Sequence, residues 1–171
     1  MFFGILSPDA RSGLHRGRFA VRIPRVNTYE ISTDPGRLQL DAIHAYLVRS
    51  DWSPGVPRAV VERAIAHSLC FGIYLGSGEQ VGFARVVTDR ATFAYLSDVY
   101  VLEAHRGQGL SKRLVAVVQA HPELQGLRRF MLATKDAHGL YAQFGFKPLA
   151  APERVMEIRD PDPYGASPTS S

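Results

Sequence analysis

The chain has 171 residues, 46% of them hydrophobic and 21% charged, with a net charge of +4 and one cysteine, Cys70. These values fit one globular domain and exclude an intrachain disulfide, a cysteine-rich metal site and, with no apolar run near 20 residues, a membrane-spanning helix. The excess charge lies in residues 1–29, where Arg11, Arg16, Arg18, Arg22 and Arg25 face Asp9 alone. The remainder is balanced, so a basic nucleic-acid face is not indicated.

The leader joins Phe2, Phe3, Ile5 and Leu6 to an arginine-rich, acid-poor stretch, a composition shared with transit peptides. Its apolar part is too short for a secretory signal. The reading taken here is a basic, disordered extension over 1–27 on a cytoplasmic protein. Tyr29–Ser32 has a strand's composition. Asp34-Pro35 reads as a cap with proline at the first helical position, and Leu38, Ile43, Tyr46 and Leu47 fall near one helical face. After a loop over 50–57, Val60, Val61, Ala64, Ile65 and Leu69 predict a second amphipathic helix.

Runs over 70–75 and 80–87 flank Gly76-Ser77-Gly78-Glu79, a hairpin signal. Asp89–Thr92 turns into a third run, 93–102. A helix follows to about His121, then a short strand at 130–134 and a helix capped by Asp136 and running through Phe144. Residues 145–149 and 154–158 read as two final strands, and the Pro-, Ser- and Gly-rich tail from Asp160 as disordered. The order is β-α-α-β-β-β-α-β-α-β-β. It predicts a mixed α/β fold with a central sheet of about seven strands, helices on both faces, and a domain over 28–159.

The most informative stretch runs from Ser97 to Arg113. A strand ends near Leu102, turns through Arg106-Gly107-Gln108-Gly109, and opens a helix with Leu110, Leu114, Val115 and Val118 inward. Such a turn aims unpaired N–H groups along a helix dipole, which suits phosphate. No Gly-Lys-Ser/Thr follows at the spacing of a P-loop. Near the C-terminal end Tyr141 stands four residues before Gly145-Phe146.

With these motifs about 30 residues apart on the expected elements, the chain resembles the GNAT superfamily of N-acetyltransferases over about 28–159. Arg106-Gly107-Gln108-Gly109-Leu110-Ser111 occupies the Gln/Arg-x-x-Gly-x-Gly/Ala signature, departing from it only at Ser111. The resemblance implies acetyl-CoA as cosubstrate and no metal. It implies that N–H groups of Arg106, Gly107, Gln108, Gly109, Leu110 and Ser111 bind the pyrophosphate. Backbone groups of Val99, Tyr100 and Val101, on a strand splayed from its neighbour, would hold the pantetheine and polarise the thioester. Tyr141 is the implied general acid toward sulfur.

The base is less defined. Relatives carry a glutamate on this strand where Ser97 stands here, and Asp98 follows. Asp98 either acts on the amine or bonds a neighbouring loop, since an acid inside an apolar strand must be paired or functional. His138, one turn before Tyr141, shares its face. Trp52, Arg85 and Tyr95, with Tyr46 and Phe93, are candidates for the acceptor pocket, expected between the first two helices and the thioester-facing strands. Cys70 reads as core, and no histidines are spaced as metal ligands. The expected activity is acetyl transfer to a primary amine, of a small molecule or else of a protein or peptide. A non-catalytic acyl-CoA-binding module is the reading of another class. The resemblance allows a homodimer.

Overall fold

The computed structural model describes residues 28–165, so the readings of 1–27 and of the last six residues lie outside it. Five strands form one sheet in the order β1-β2-β3-β4-β5, with β1 at Tyr29–Ser32, β2 at Leu69–Leu75, β3 at Gln80–Thr88, β4 at Phe93–Val101 and β5 at Arg129–Leu132. All neighbours are antiparallel except β4 and β5, which run parallel. Among the described residues four α-helices, α1 (Leu40–Leu47), α2 (Arg58–Ala66), α3 (Leu110–Ala120) and α4 (His138–Ala142), cover the two faces.

The apolar periodicity decides the layers. Leu110, Leu114, Val115 and Val118 of α3 recur at helical spacing, and with Tyr141 of α4 they bury against Phe71, Ile73, Ala84, Val86, Ala94 and Leu96. On the other face Ile43, Leu47, Val56 and Val61 close over Cys70, Phe83 and Tyr100. Burying a side chain of this size stabilises the fold by about 1.5–3 kcal/mol, so the two clusters outweigh any surface ion pair. The β2–β3 hairpin forms as its glycines predict. Gly78 takes φ +90, and its N–H donates to the Leu75 carbonyl at 2.8 Å.

Several boundaries differ from the sequence reading. Asp34 caps only a 3-10 turn, Pro35–Arg37, through the Gly36 N–H at 2.9 Å, and α1 begins later, at Leu40. Glycine in the first turn favours that break. The helix expected through Phe144 ends at Ala142, and its entry is closed by Thr134 Oγ1 accepting from the Ala137 N–H, not by Asp136.

Among the described residues the two final strands do not form, and the sheet has five strands and not about seven. Residues 145–149 and 154–158 have a strand's composition but no ladder partner among the described residues, and Pro148 has no N–H to give. Met156 and Ile158 are almost wholly exposed. Part of the tail read as disordered is ordered: Tyr164 packs on the α1–α2 cluster.

Candidate functional site

The site begins with a bulge in β4. Phe83 pairs with Tyr100, but Arg85 pairs with Ser97, so two residues, Asp98 and Val99, stand opposite Ala84 alone. Asp98 takes φ +54, in the left-handed region that aspartate tolerates better than most residues. Strict alternation would send its carboxylate toward α3 and the core. The extra residue turns it instead to the α2 face, beside Arg85.

There the carboxylate is satisfied. Asp98 Oδ2 accepts from Arg85 Nε at 2.6 Å, and Oδ1 accepts from Trp52 Nε1 at 3.2 Å and Ser97 Oγ at 3.1 Å. Arg85 donates further to Ser68 Oγ at 3.2 Å and Ser97 Oγ at 3.4 Å. Both partners of the ion pair are largely buried, with side chains 17% and 8% exposed, so the pair is desolvated and each charge depends on the other. Arg85 and Asp98 also border a cavity of about 80 Å³ whose apolar wall includes Val56, Val61, Ile65 and Tyr164.

The same bulge marks where β4 leaves β5. Their ladder covers 93–96 against 129–132 and then ends, so Ser97–Val101 have no β5 partner. The ladder thus ends short of Val99, Tyr100 and Val101. The Val101 carbonyl is engaged within the chain, accepting from Arg106 Nε at 3.0 Å. Val99 packs on the α3-side core, while Tyr100 stacks on Tyr46 with ring centroids 3.8 Å apart. Their side chains are core, which leaves only backbone for a ligand.

After β4 the chain turns into α3. Gly107 and Gly109 take φ +76 and +73, conformations a residue with a Cβ enters only at a cost. Among the described residues, nothing accepts a hydrogen bond from the backbone N–H groups of Gly107 through Lys112; the first N–H of α3 with an acceptor is that of Arg113, to Gly109. The Arg106 N–H is not in this set, because it donates to the Glu103 carbonyl at 3.2 Å. The free stretch therefore starts one residue later than expected and runs one residue further. A run of unpaired N–H groups at a helix N-terminus fits an anionic pyrophosphate. The Arg106 side chain instead bridges Tyr46 and Glu103.

On the far side of β5, Phe130–Thr134, His138, Tyr141 and Phe146–Leu149 line a cleft of about 370 Å³. Tyr141 is 8% exposed, set edge-on to Phe146, and burial raises its hydroxyl pKa above the ordinary value, with Asp136 adding to the rise. His138 and Tyr141 thus share one wall, as their spacing predicts.

Comparison with known proteins decides the family. The family model described as Acetyltransferase (GNAT) family matches residues 33–146. The chain belongs to that family. It is an acetyl-CoA-dependent acetyltransferase. A GNAT-family protein from Xanthomonas campestris pv. campestris is 54% identical over 80% of this chain and 96% of its own, with TM-score 0.78. The Gibberella zeae protein FG08082, named for acetyltransferase activity, is 38% identical over 138 residues, 67% of this chain and 76% of that one. The aminoglycoside N-acetyltransferase AAC(6′)-Iy, solved with CoA, shares the fold: TM-score 0.56 at 22% identity, over 81% of this chain and 99% of that one.

Within the acetyltransferase the structure brings Trp52, Arg85 and Asp98 together and separates them from the Tyr141–His138 wall. Tyr95 lies on the Arg85 face but two residues further from the bulge than Ser97, opposite Val87. Phe93 lies at the far end of β4, partly exposed. Tyr164 was missed, because one ring in a Pro- and Ser-rich tail gives no periodicity to read. Cys70 is buried and its thiol is pushed up to about 12 by desolvation, which suits a core residue and not a nucleophile. No helix among the described residues is long and apolar enough to cross a membrane.

Proposed function

We propose that this acetyltransferase moves an acetyl group from acetyl-CoA directly to the primary amine of a small molecule bound beside it. The observation that carries the reading is the run of unpartnered N–H groups from Gly107 to Lys112, lying next in the chain to a strand that has left its neighbour at a bulge. One feature suits the pyrophosphate, and the other suits an extended amide-bearing arm. Acetyl-CoA supplies the activated thioester carbonyl.

The chain's own residues divide the remaining work. Backbone N–H groups of 107–112 bind the pyrophosphate at the N-terminus of α3. The backbone of Val99, which has no ladder partner on β3 or β5, orients the thioester and offers a donor to the carbonyl oxygen as it gains negative charge. Tyr141 keeps its hydroxyl proton, because burial raises its pKa, and is the group that gives it up to a departing thiolate. Asp98 is the acceptor-side carboxylate. Ion-paired with Arg85, it orients the amine, while Trp52 offers a half-exposed ring to the amine's cation.

The small cavity bordered by Arg85, Asp98 and Tyr164 supports a small acceptor over a peptide. An acceptor cavity also argues for an enzyme over a passive acyl-CoA sensor, which needs none. The test is acetyl-CoA-dependent thiol release across a panel of primary amines. Wild type should turn over at least one amine, and Tyr141→Phe should lower kcat by about 100-fold or more with acetyl-CoA affinity unchanged. Binding of acetyl-CoA without release in the presence of any amine would favour the binding module.

A further inference from the structure

We propose that Tyr29, on β1, is a positioning residue for acetyl-CoA: its hydroxyl clasps the glycine turn in the shape that receives the pyrophosphate. The inference rests on the reading of residues 107–112 as the pyrophosphate loop and adds the device that holds that loop ready.

The turn has little of its own to hold its shape. Gly107 and Gly109 both take positive φ, and glycine loses more conformational freedom on ordering than any other residue. Among the described residues no backbone N–H from Gly107 to Lys112 has an acceptor, so no turn or helix bond donated from this stretch stiffens it. A ligand that had to order a mobile loop would lose affinity to that ordering, and a loop fixed beforehand keeps it.

The fixing group comes from the other end of the sheet's sequence. Tyr29 is itself anchored: it pairs with Leu75 in the β1–β2 ladder, and the neighbouring Thr28 carbonyl accepts from the Gly76 N–H at 3.1 Å. Its ring packs on the α3-side core. From that footing the hydroxyl accepts from Gln108 Nε2 at 3.0 Å and lies 3.0 Å from His105 Nδ1. An amide nitrogen only donates, which leaves the phenol proton for His105 Nδ1, with the imidazole proton on Nε2. The bonds then run head to tail from Gln108 through Tyr29 to His105, an order in which each polarises the next. Gln108 Nε2 also reaches the His105 carbonyl at 3.4 Å, and Arg113 donates to the Tyr29 carbonyl at 3.1 Å. One residue of β1 therefore holds the loop at its entry, His105, at its middle, Gln108, and at its exit, Arg113.

The hydroxyl is the part that can be removed cleanly. Arg113 carries charge one residue past the loop, so its loss would weaken an anion's binding for that reason alone. Tyr29→Phe changes no charge, keeps the carbonyl that Arg113 uses and keeps the edge-on ring contact with His105, centroids 5.8 Å apart. It deletes only the hydroxyl's bonds to Gln108 and His105.

Isothermal calorimetry of the full chain with acetyl-CoA should show Kd about tenfold higher for Tyr29→Phe, with circular dichroism unchanged. Backbone NMR order parameters of Gly107 and Gly109 in the ligand-free variant should fall, which a role confined to global stability would not produce. Tyr29→Phe/Gln108→Leu should bind no more weakly than Tyr29→Phe, because both changes break the same bond. If Gly109→Trp abolishes binding while Tyr29→Phe stays within about twofold of wild type, the clasp is overturned and the loop reading stands. Weakened binding with unchanged order parameters would mean that the hydroxyl touches the ligand directly, and additive losses in the double variant would mean that the two residues act separately; either overturns the clasp. A Kd unmoved by Gly109→Trp would sink the loop reading and the clasp with it.

Discussion

Gly109 is where the phosphate reading is most exposed to test. Its φ is +73, it precedes the first turn of α3, and a Cβ built on it meets no atom within 4 Å. Gly109→Ala should therefore cost only backbone strain, about 1 kcal/mol, a fall in Tm of roughly 3 °C for a chain of this size. Binding should respond far more to bulk. Each charge-assisted hydrogen bond from an N–H in this run contributes about 1.5–3 kcal/mol. Gly109→Trp fills the open space in front of the run. If two of those bonds are lost, affinity falls by about 3–6 kcal/mol, or roughly 10²- to 10⁴-fold in Kd. Isothermal calorimetry with acetyl-CoA measures this directly. Gly78→Ala is the control, since Gly78 has φ +90, open space around it and a place in the β2–β3 hairpin. It should carry the same strain and leave Kd unchanged. A folded Gly109→Trp protein binding within about threefold of wild type would refute the placement, as would equal weakening by Gly78→Ala.

Asp98→Ala leaves the Arg85 guanidinium buried and without its carboxylate, which should cost about 3–5 kcal/mol in urea denaturation, whereas Arg85→Met/Asp98→Leu should cost clearly less. Equal losses would mean the pair is not desolvated as described. Stability should fall as pH rises above about 9. Burial pushes Cys70 from 9.0 up to about 12 and raises Tyr74, Tyr100 and Tyr141 above 10.0, so the unfolded chain releases these protons first. The stabilisation is complete below the unfolded values and lost as pH rises toward the folded ones; a Tm flat from pH 8 to 11 would contradict it. Tyr164→Ala should raise KM for the amine several-fold at unchanged Kd for acetyl-CoA, because the ring borders the cavity proposed for the acceptor and is remote in the chain from the 107–112 loop. A change in Kd alone would place Tyr164 on the wrong side.

The glycine turn, the helix it opens and the Tyr141 landmark were legible because their signals are local. Positive-φ glycines, a run of apolar residues at helical spacing and a short motif do not depend on what the rest of the chain does. The hairpin at Gly76–Glu79 was legible for the same reason. Strand count was not. Residues 154–158 have strand composition, but a strand exists only where a ladder receives it, and the described chain offers that segment none.

Asp98 shows the division most clearly. The sequence requires that an acid inside an apolar strand be either paired or functional, and both readings stayed open. Only the fold decides that β4 bulges there, turning the carboxylate from the α3 core to Arg85 and Trp52, residues distant in sequence. A bulge is set by register against a neighbouring strand, and register is a property of the pair. The sequence by itself determined most of the elements, the family and the glycine turn, because each follows from residues close in the chain. The tertiary structure decided which side chains share a pocket, because that depends on long-range packing no local pattern encodes.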